Sequence, residues 1–108
     1  VLCSPARRSR ETLEAVLELT GYIEQRLDER IYEATPGTLA SVLDEHREAE
    51  RLLLVGHNPG LERLAALMHS GQTGDYRGMP TASIALLALP LDAAIEPGIA
   101  RLTAFWWP

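Results

Sequence analysis

A single cysteine, Cys3, stands among the 108 residues. It cannot close an internal disulfide, and a chain of this kind fits a reducing, cytoplasmic setting. An excess of positive charge is missing too, since 10 Lys and Arg face 15 Asp and Glu, for a formal net charge of -5. Nonspecific nucleic-acid binding and attachment to a membrane surface are therefore not expected. No apolar run approaches the roughly 20 residues of a membrane span, and no signal-peptide pattern is visible. No Gly-rich phosphate fingerprint follows any strand pattern, which counts against a nucleotide-binding domain. Internal repeats, low-complexity tracts and linkers are absent. So is an initiator Met: Val1-Leu2-Cys3 already lies inside an apolar, strand-like run, and the expectation is a segment whose start is missing.

What is present is an ordinary globular composition, 46% apolar and 23% charged, over a length that suits one domain at 1–108 with a buried core. Val1-Leu2-Cys3 reads as the end of a buried strand. Ser4-Pro5 predicts a helix start, with Ser as N-cap and Pro at the first helical position. Leu13, Val16, Leu17 and Thr20 recur at helical spacing, and Gly21 supplies the stop. Residues 22–31 alternate weakly at Ile23, Gln25 and Leu27, which predicts a short strand. Thr35-Pro36 repeats the cap-plus-proline signature, with Leu39, Val42 and Leu43 on the inner face of a second helix and a charged stretch from Asp44 to Arg51.

Residues 52–55 predict a buried strand, 56–60 a turn, and Leu61, Leu64, Ala65 and Met68 the inner side of a third helix. Residues 70–80, with glycines at 71, 74 and 78, predict a surface loop. Residues 83–89 predict another buried strand and 99–107, by alternation, a final one, with a turn region at 91–98 between them. The order strand, helix, strand, helix, strand, helix, strand, strand predicts an α/β fold with a mostly parallel sheet flanked by helices.

Two strand ends carry suggestive residues. One gives Cys3-Ser4-Pro5-Ala6-Arg7-Arg8-Ser9-Arg10-Glu11-Thr12, the other Gly56-His57-Asn58. In an open α/β sheet, ligands bind just outside the carboxyl ends of the strands. Parallel strands would bring both segments to one edge, where an arginine fork and an imidazole can converge on an anion beside a helix start. A thiolate loop is the rival use of the first segment. Such a loop places cysteine and arginine around five intervening residues. Here 4 separate Cys3 from Arg8 and 6 separate it from Arg10, and Ser9 stands where the arginine is needed. Pro5 also removes an amide that such a loop aims at phosphate. Cys3 is more simply a small apolar strand residue.

The residues Ser4-Pro-x-x-Arg8-x-x-Glu11-Thr12, followed by Val55-Gly56-His57-Asn58-Pro59-Gly60, resemble the histidine phosphatase superfamily. This superfamily is phosphoglycerate-mutase-like, and its short SixA-type phosphohistidine phosphatases are the nearest match. Tyr32-Glu33-Ala34-Thr35-Pro36 and Met79-Pro80-Thr81-Ala82-Ser83 fit the same pattern, so the resemblance spans the chain in order. It implies a two-step phosphoryl transfer without metal or cofactor. A nucleophilic histidine in an Arg-His-Gly segment takes the phosphoryl group and water then releases it. Arg8 matches the second pocket arginine, and His57 the second catalytic histidine that stabilises the transferring group. The substrate would be a phosphorylated protein bearing phosphohistidine, or a small phosphorylated molecule.

Two departures stand out. Arg-His-Gly occurs nowhere in these residues, and Glu11 stands where many relatives carry Gln. The resemblance further leads us to expect a missing strand between 1–3 and 52–55, present in the folded protein or supplied by another chain. A noncatalytic phosphate-binding or phosphoprotein-binding module of the same fold is the alternative.

Each candidate also has a plainer explanation. His57 could be a structural histidine satisfied by backbone groups, and Arg8 one of three solvent-facing arginines on a first turn. Arg7 and Arg10 are expected to be exposed. Asn58 could offer its backbone N–H to phosphate or simply form the turn before Pro59. Glu33 is a candidate general acid, although a surface carboxylate is its plainer reading. His46 and His69 suit helix C-termini and need no function. Trp106 and Trp107 are expected to alternate, with one in the core.

Overall fold

The computed structural model describes residues 1–72 and 79–107. Its centre is a three-stranded parallel sheet in the order β2-β1-β3, made of β1 (Leu2–Cys3), β2 (Arg26–Leu27) and β3 (Leu54–Val55). Leu2 is opposite Arg26 and Leu54, and Cys3 is opposite Leu27 and Val55. Side chains alternate across a strand, so Leu2 and Leu54 point to one face and Cys3 and Val55 to the other. Two apolar clusters follow. Leu2 packs with Ile31, Leu39, Val42, Leu64, Met68 and Ala100, whereas Cys3 and Val55 pack with Leu13. Helix α1 (Arg7–Thr20) thus covers one face, while α2 (Pro36–Asp44) and α3 (Gly60–Ser70) cover the other.

Local chemistry sets most of the helix ends. The Thr35 side chain accepts the N–H of Thr38 and caps α2 as expected, with Pro36 opening the helix. Such a cap contributes about 1 kcal/mol. Gly21 closes α1 at φ 80, and Gly71 closes α3 in the left-handed region. The start of α1 departs from expectation. Its N-cap is Ala6, without a side-chain hydrogen bond, and Pro5 lies outside the helix. Thr20, expected on the inner face, is exposed and bonds to its own helix end through the Val16 carbonyl. Residues 22–31 hold only the short β2, followed by a 3₁₀ turn at Glu29–Ile31.

The sheet also departs from expectation. Strands β4 (Ile84–Ala88) and β5 (Arg101–Trp106) pair antiparallel as a separate two-stranded ribbon rather than extending the parallel sheet. It is tied to α3 where the Ala100 N–H donates to the Met68 carbonyl and the Gly98 N–H to that of Leu67. No strand stands between β1 and β3: the Leu2 N–H donates to the Leu53 carbonyl and that of Ser4 to Val55, at 2.8 and 2.9 Å. The expected intervening strand is therefore not in that position. Trp106 and Trp107 are both exposed, so neither fills the core. Residues 73–78, the middle of the expected 70–80 loop, lie outside the described residues. No described helix is long and apolar enough to cross a membrane.

Candidate anion site at the sheet edge

The carboxyl ends of β1 and β3 deliver the two suggestive segments to one place. Past Cys3 the chain runs through Ser4 and Pro5 into α1. Past Val55 it runs through the 56–60 turn into α3. A third segment, 31–34, closes against that turn because two glycines leave room for it. A Cβ on Gly60 would stand 2.6 Å from the Ala34 carbonyl oxygen, and one on Gly56 would stand 2.9 Å from Ile31 Cγ2. Residues without side chains at these points let the two segments touch. Tyr32 and Glu33 thereby come beside His57 and Asn58.

The result is an open cleft of about 370 Å³ lined by Ala6, Arg7, Arg8, Tyr32, Glu33, His57 and Asn58. All four sequence-derived candidates, Arg8, His57, Glu33 and Asn58, border it. Arg8 is exposed, and its guanidinium makes no ion pair among the described residues. Thr12 Oγ1 donates to the Arg8 carbonyl and braces that turn at 3.0 Å. Arg7 differs, because its Nε is engaged by Glu11 at 2.7 Å. Positive charge is reinforced by the helix start: α1 has no side-chain cap and no acidic residue in its first turn. Its first amides and the positive end of its dipole thus stay open to an anion.

His57 is held from behind. Its Nε2 lies 2.7 Å from Ser4 Oγ and 3.3 Å from Ser9 Oγ, and both serines are buried. Tyr32 meets the imidazole edge-on, with ring centroids 5.5 Å apart at 89°. These three partners escaped the sequence reading. Ser4 has the pattern of a helix cap, and Ser9 stands out only as the place where a thiolate loop needs arginine. No local pattern marks hydroxyls that act 48 and 53 residues away.

The Asn58 side chain ties the turn to its neighbours. Its Oδ1 accepts the Glu62 N–H at 3.2 Å, and its Nδ2 donates to the Met79 carbonyl. Glu62 Oε2 accepts the Met79 N–H at 3.0 Å, so the turn and the first turn of α3 together hold both backbone groups of Met79. Glu33 sits at the rim, exposed, with φ 48, a left-handed conformation uncommon outside glycine. Cys3 is fully buried and its Sγ–H donates to the Ser4 carbonyl at 3.2 Å. Burial pushes its thiol pKa up, with Arg10 opposing, so the protonated, non-nucleophilic form is favoured there. His46 is half-buried just beyond α2, and His69 is exposed in the last turn of α3. Among the described residues, no group of three His, Cys, Asp or Glu could hold a metal ion.

Chemically, the arrangement offers one unpaired guanidinium, one imidazole and an uncapped helix start around a solvent-open space. That combination suits a tetrahedral oxyanion. Comparison with family models, curated proteins and solved structures finds no match to this chain.

Proposed function

We propose that this cleft binds a phosphoryl group and forms half of the active site of a histidine-phosphatase-like enzyme acting on phosphohistidine or a small phosphoester. The observation that carries this reading is the meeting of Arg8 and His57, from two different strand ends, in one cleft. The order of motifs along the chain and the three-stranded α/β core are compatible with a phosphoglycerate-mutase-like fold. Its setting would be cytoplasmic.

In this reading a histidine from outside the 108 residues attacks phosphorus and the P–N or P–O bond to the leaving group breaks. The leaving group departs with a proton, from Glu33 or, for phosphohistidine, already carried by the imidazole. Water then cleaves the enzyme's own P–N bond and inorganic phosphate leaves. Arg8 and His57 hold the phosphoryl oxygens throughout, and fixed donors of this kind act where charge redistributes in the transition state. A binding module is the second reading, favoured by one observation: no histidine other than His57, and no Ser, Thr or Cys, lines the cleft among the described residues.

Calorimetric titration with inorganic phosphate tests the site. Arg8→Ala and His57→Ala should each weaken binding on the order of tenfold or more. Arg10→Ala, outside the cleft, should stay within about twofold. Unchanged affinity in His57→Ala would remove that residue from the site. Turnover of a phosphohistidine peptide by the protein, together with any segment that precedes Val1, separates the two readings, since a binding module gives affinity without release of phosphate.

A further inference from the structure

His57 has two ring nitrogens, and the fold treats them differently. Nε2 faces Ser4 and Ser9, while Nδ1 has no hydrogen-bond partner among the described residues. Ser4 Oγ already accepts the Ala6 N–H at 3.3 Å. Its hydroxyl hydrogen, like that of Ser9, still needs an acceptor, because both side chains are buried. Nε2 is the acceptor the described residues provide for either of them. A bare Nε2 has one lone pair and takes one of these hydroxyls, whereas a proton on Nε2 would leave neither with an acceptor, and stranding a buried donor is costly. A neutral imidazole carries one N–H, and the hydrogen bonding of one nitrogen decides which nitrogen holds it.

We propose that Ser4 and Ser9 are positioning residues for His57: their buried hydroxyls keep Nε2 an acceptor and so place the ring proton on Nδ1, ready to donate to an oxyanion in the cleft. This reverses the preference of free histidine in water. Tyr32, edge-on to the ring, restrains the swing that would exchange the two nitrogens. Placement of the proton stands on the serines alone, whereas donation to an oxyanion rests on the phosphoryl reading above. The device would let His57 act as a donor while neutral, so the cleft would not depend on imidazolium for its second hydrogen bond.

The test reads the ring directly. Long-range proton–nitrogen NMR spectra, recorded at a high pH where they show the ring neutral, should show His57 protonated at Nδ1 and bare at Nε2. The double variant Ser4→Ala, Ser9→Ala should move toward the Nε2–H form, and Ser9→Ala alone should move part of the way while disturbing the Ala6 turn least. Affinity for inorganic phosphate gives a second readout. At that high pH the double variant should bind on the order of tenfold more weakly than the parent. At a lower pH where the same spectra show imidazolium, the deficit should vanish, because imidazolium carries both protons. Taking the ratio of variant to parent at each pH cancels the titration of phosphate itself. An Nε2–H ring in the parent overturns the proposal, as does a deficit equal at both pH values. An Nδ1–H ring in a parent that does not bind phosphate leaves the serine pair standing and overturns its link to an oxyanion.

Discussion

Gly60 opens α3 against a backbone carbonyl, and that contact holds the cleft together. A Cβ there would stand 2.6 Å from the Ala34 oxygen, and the Gly56 Cβ only 2.9 Å from the Ile31 side chain. A side chain can yield by rotating, whereas a carbonyl moves only with its chain. Gly60→Ala should therefore cost about 1–3 kcal/mol, the usual range for overpacking, and more than Gly56→Ala. Denaturant midpoints of the two variants check the order. Equal midpoints would mean that the 31–34 segment shifts freely. The same substitution should weaken phosphate binding, because Tyr32 and Glu33 lean on the cleft from that segment. At this scale the sequence was legible where chemistry is local. Gly21 and Gly71 close helices from within one turn of chain, and Thr35 caps α2 three residues ahead. Ser4 misled for the opposite reason: it precedes proline like a cap, yet its hydroxyl serves a histidine 53 residues on.

Arg30 does for the elements what Gly60 does for the turn. Its guanidinium binds Glu45 through two hydrogen bonds of 2.5 and 3.0 Å, and Asp28 through two of 3.1 and 2.7 Å. One side chain thereby joins the end of β2, the 3₁₀ turn and the C-cap of α2. Hydrogen bonding to Arg30 holds the carboxyl pKa values of Asp28 and Glu45 below their usual range. Groups depressed in the folded state contribute stability above their unfolded pKa and lose it as pH falls through the folded value. The contribution of this triad should thus be complete above the ordinary carboxylate range near pH 4 and fade below it. Arg30→Leu should lower the melting midpoint at neutral pH and flatten its acid-side fall. Added salt should shrink the difference, since exposed pairs are screened. Identical acid-side slopes in parent and variant would dismiss the triad as a stabilising contact. Nothing in residues 22–31 announced this arrangement, because the pairing partner Glu45 lies 15 residues away and strand β2 spans two residues.

Across the whole molecule the apolar pattern was legible as strand and helix, but not as topology. Residues 83–89 read as a buried strand from their apolar run and 99–107 as a strand from alternation; strands do form there, at Ile84–Ala88 and Arg101–Trp106, but the first is half exposed rather than buried. Their pairing as a separate antiparallel ribbon depends on where the chain returns, which periodicity does not record. The ribbon also exposes what the sequence led us to expect inside. Ile84 lies opposite Trp106, with Leu86 two residues along the same face, and the three are 55%, 53% and 52% exposed. An isolated two-stranded ribbon is marginal in water, and contiguous exposed apolar surface favours association. The parallel sheet has a comparable weakness, since no described strand pairs with β3 on the side away from β1. The described residues should therefore self-associate as concentration rises, and the ribbon face should be one surface responsible. Leu86→Lys places a charge in the middle of that face without removing a buried contact, and charged side chains on such strands oppose edge-to-edge pairing. Sedimentation velocity over a concentration series should show the parent shifting to faster species and Leu86→Lys remaining closer to monomer. A parent that stays monomeric throughout would show that the exposed face and the open strand edge are tolerated as they stand. A variant that associates as readily as the parent would instead place the contact at the β3 edge.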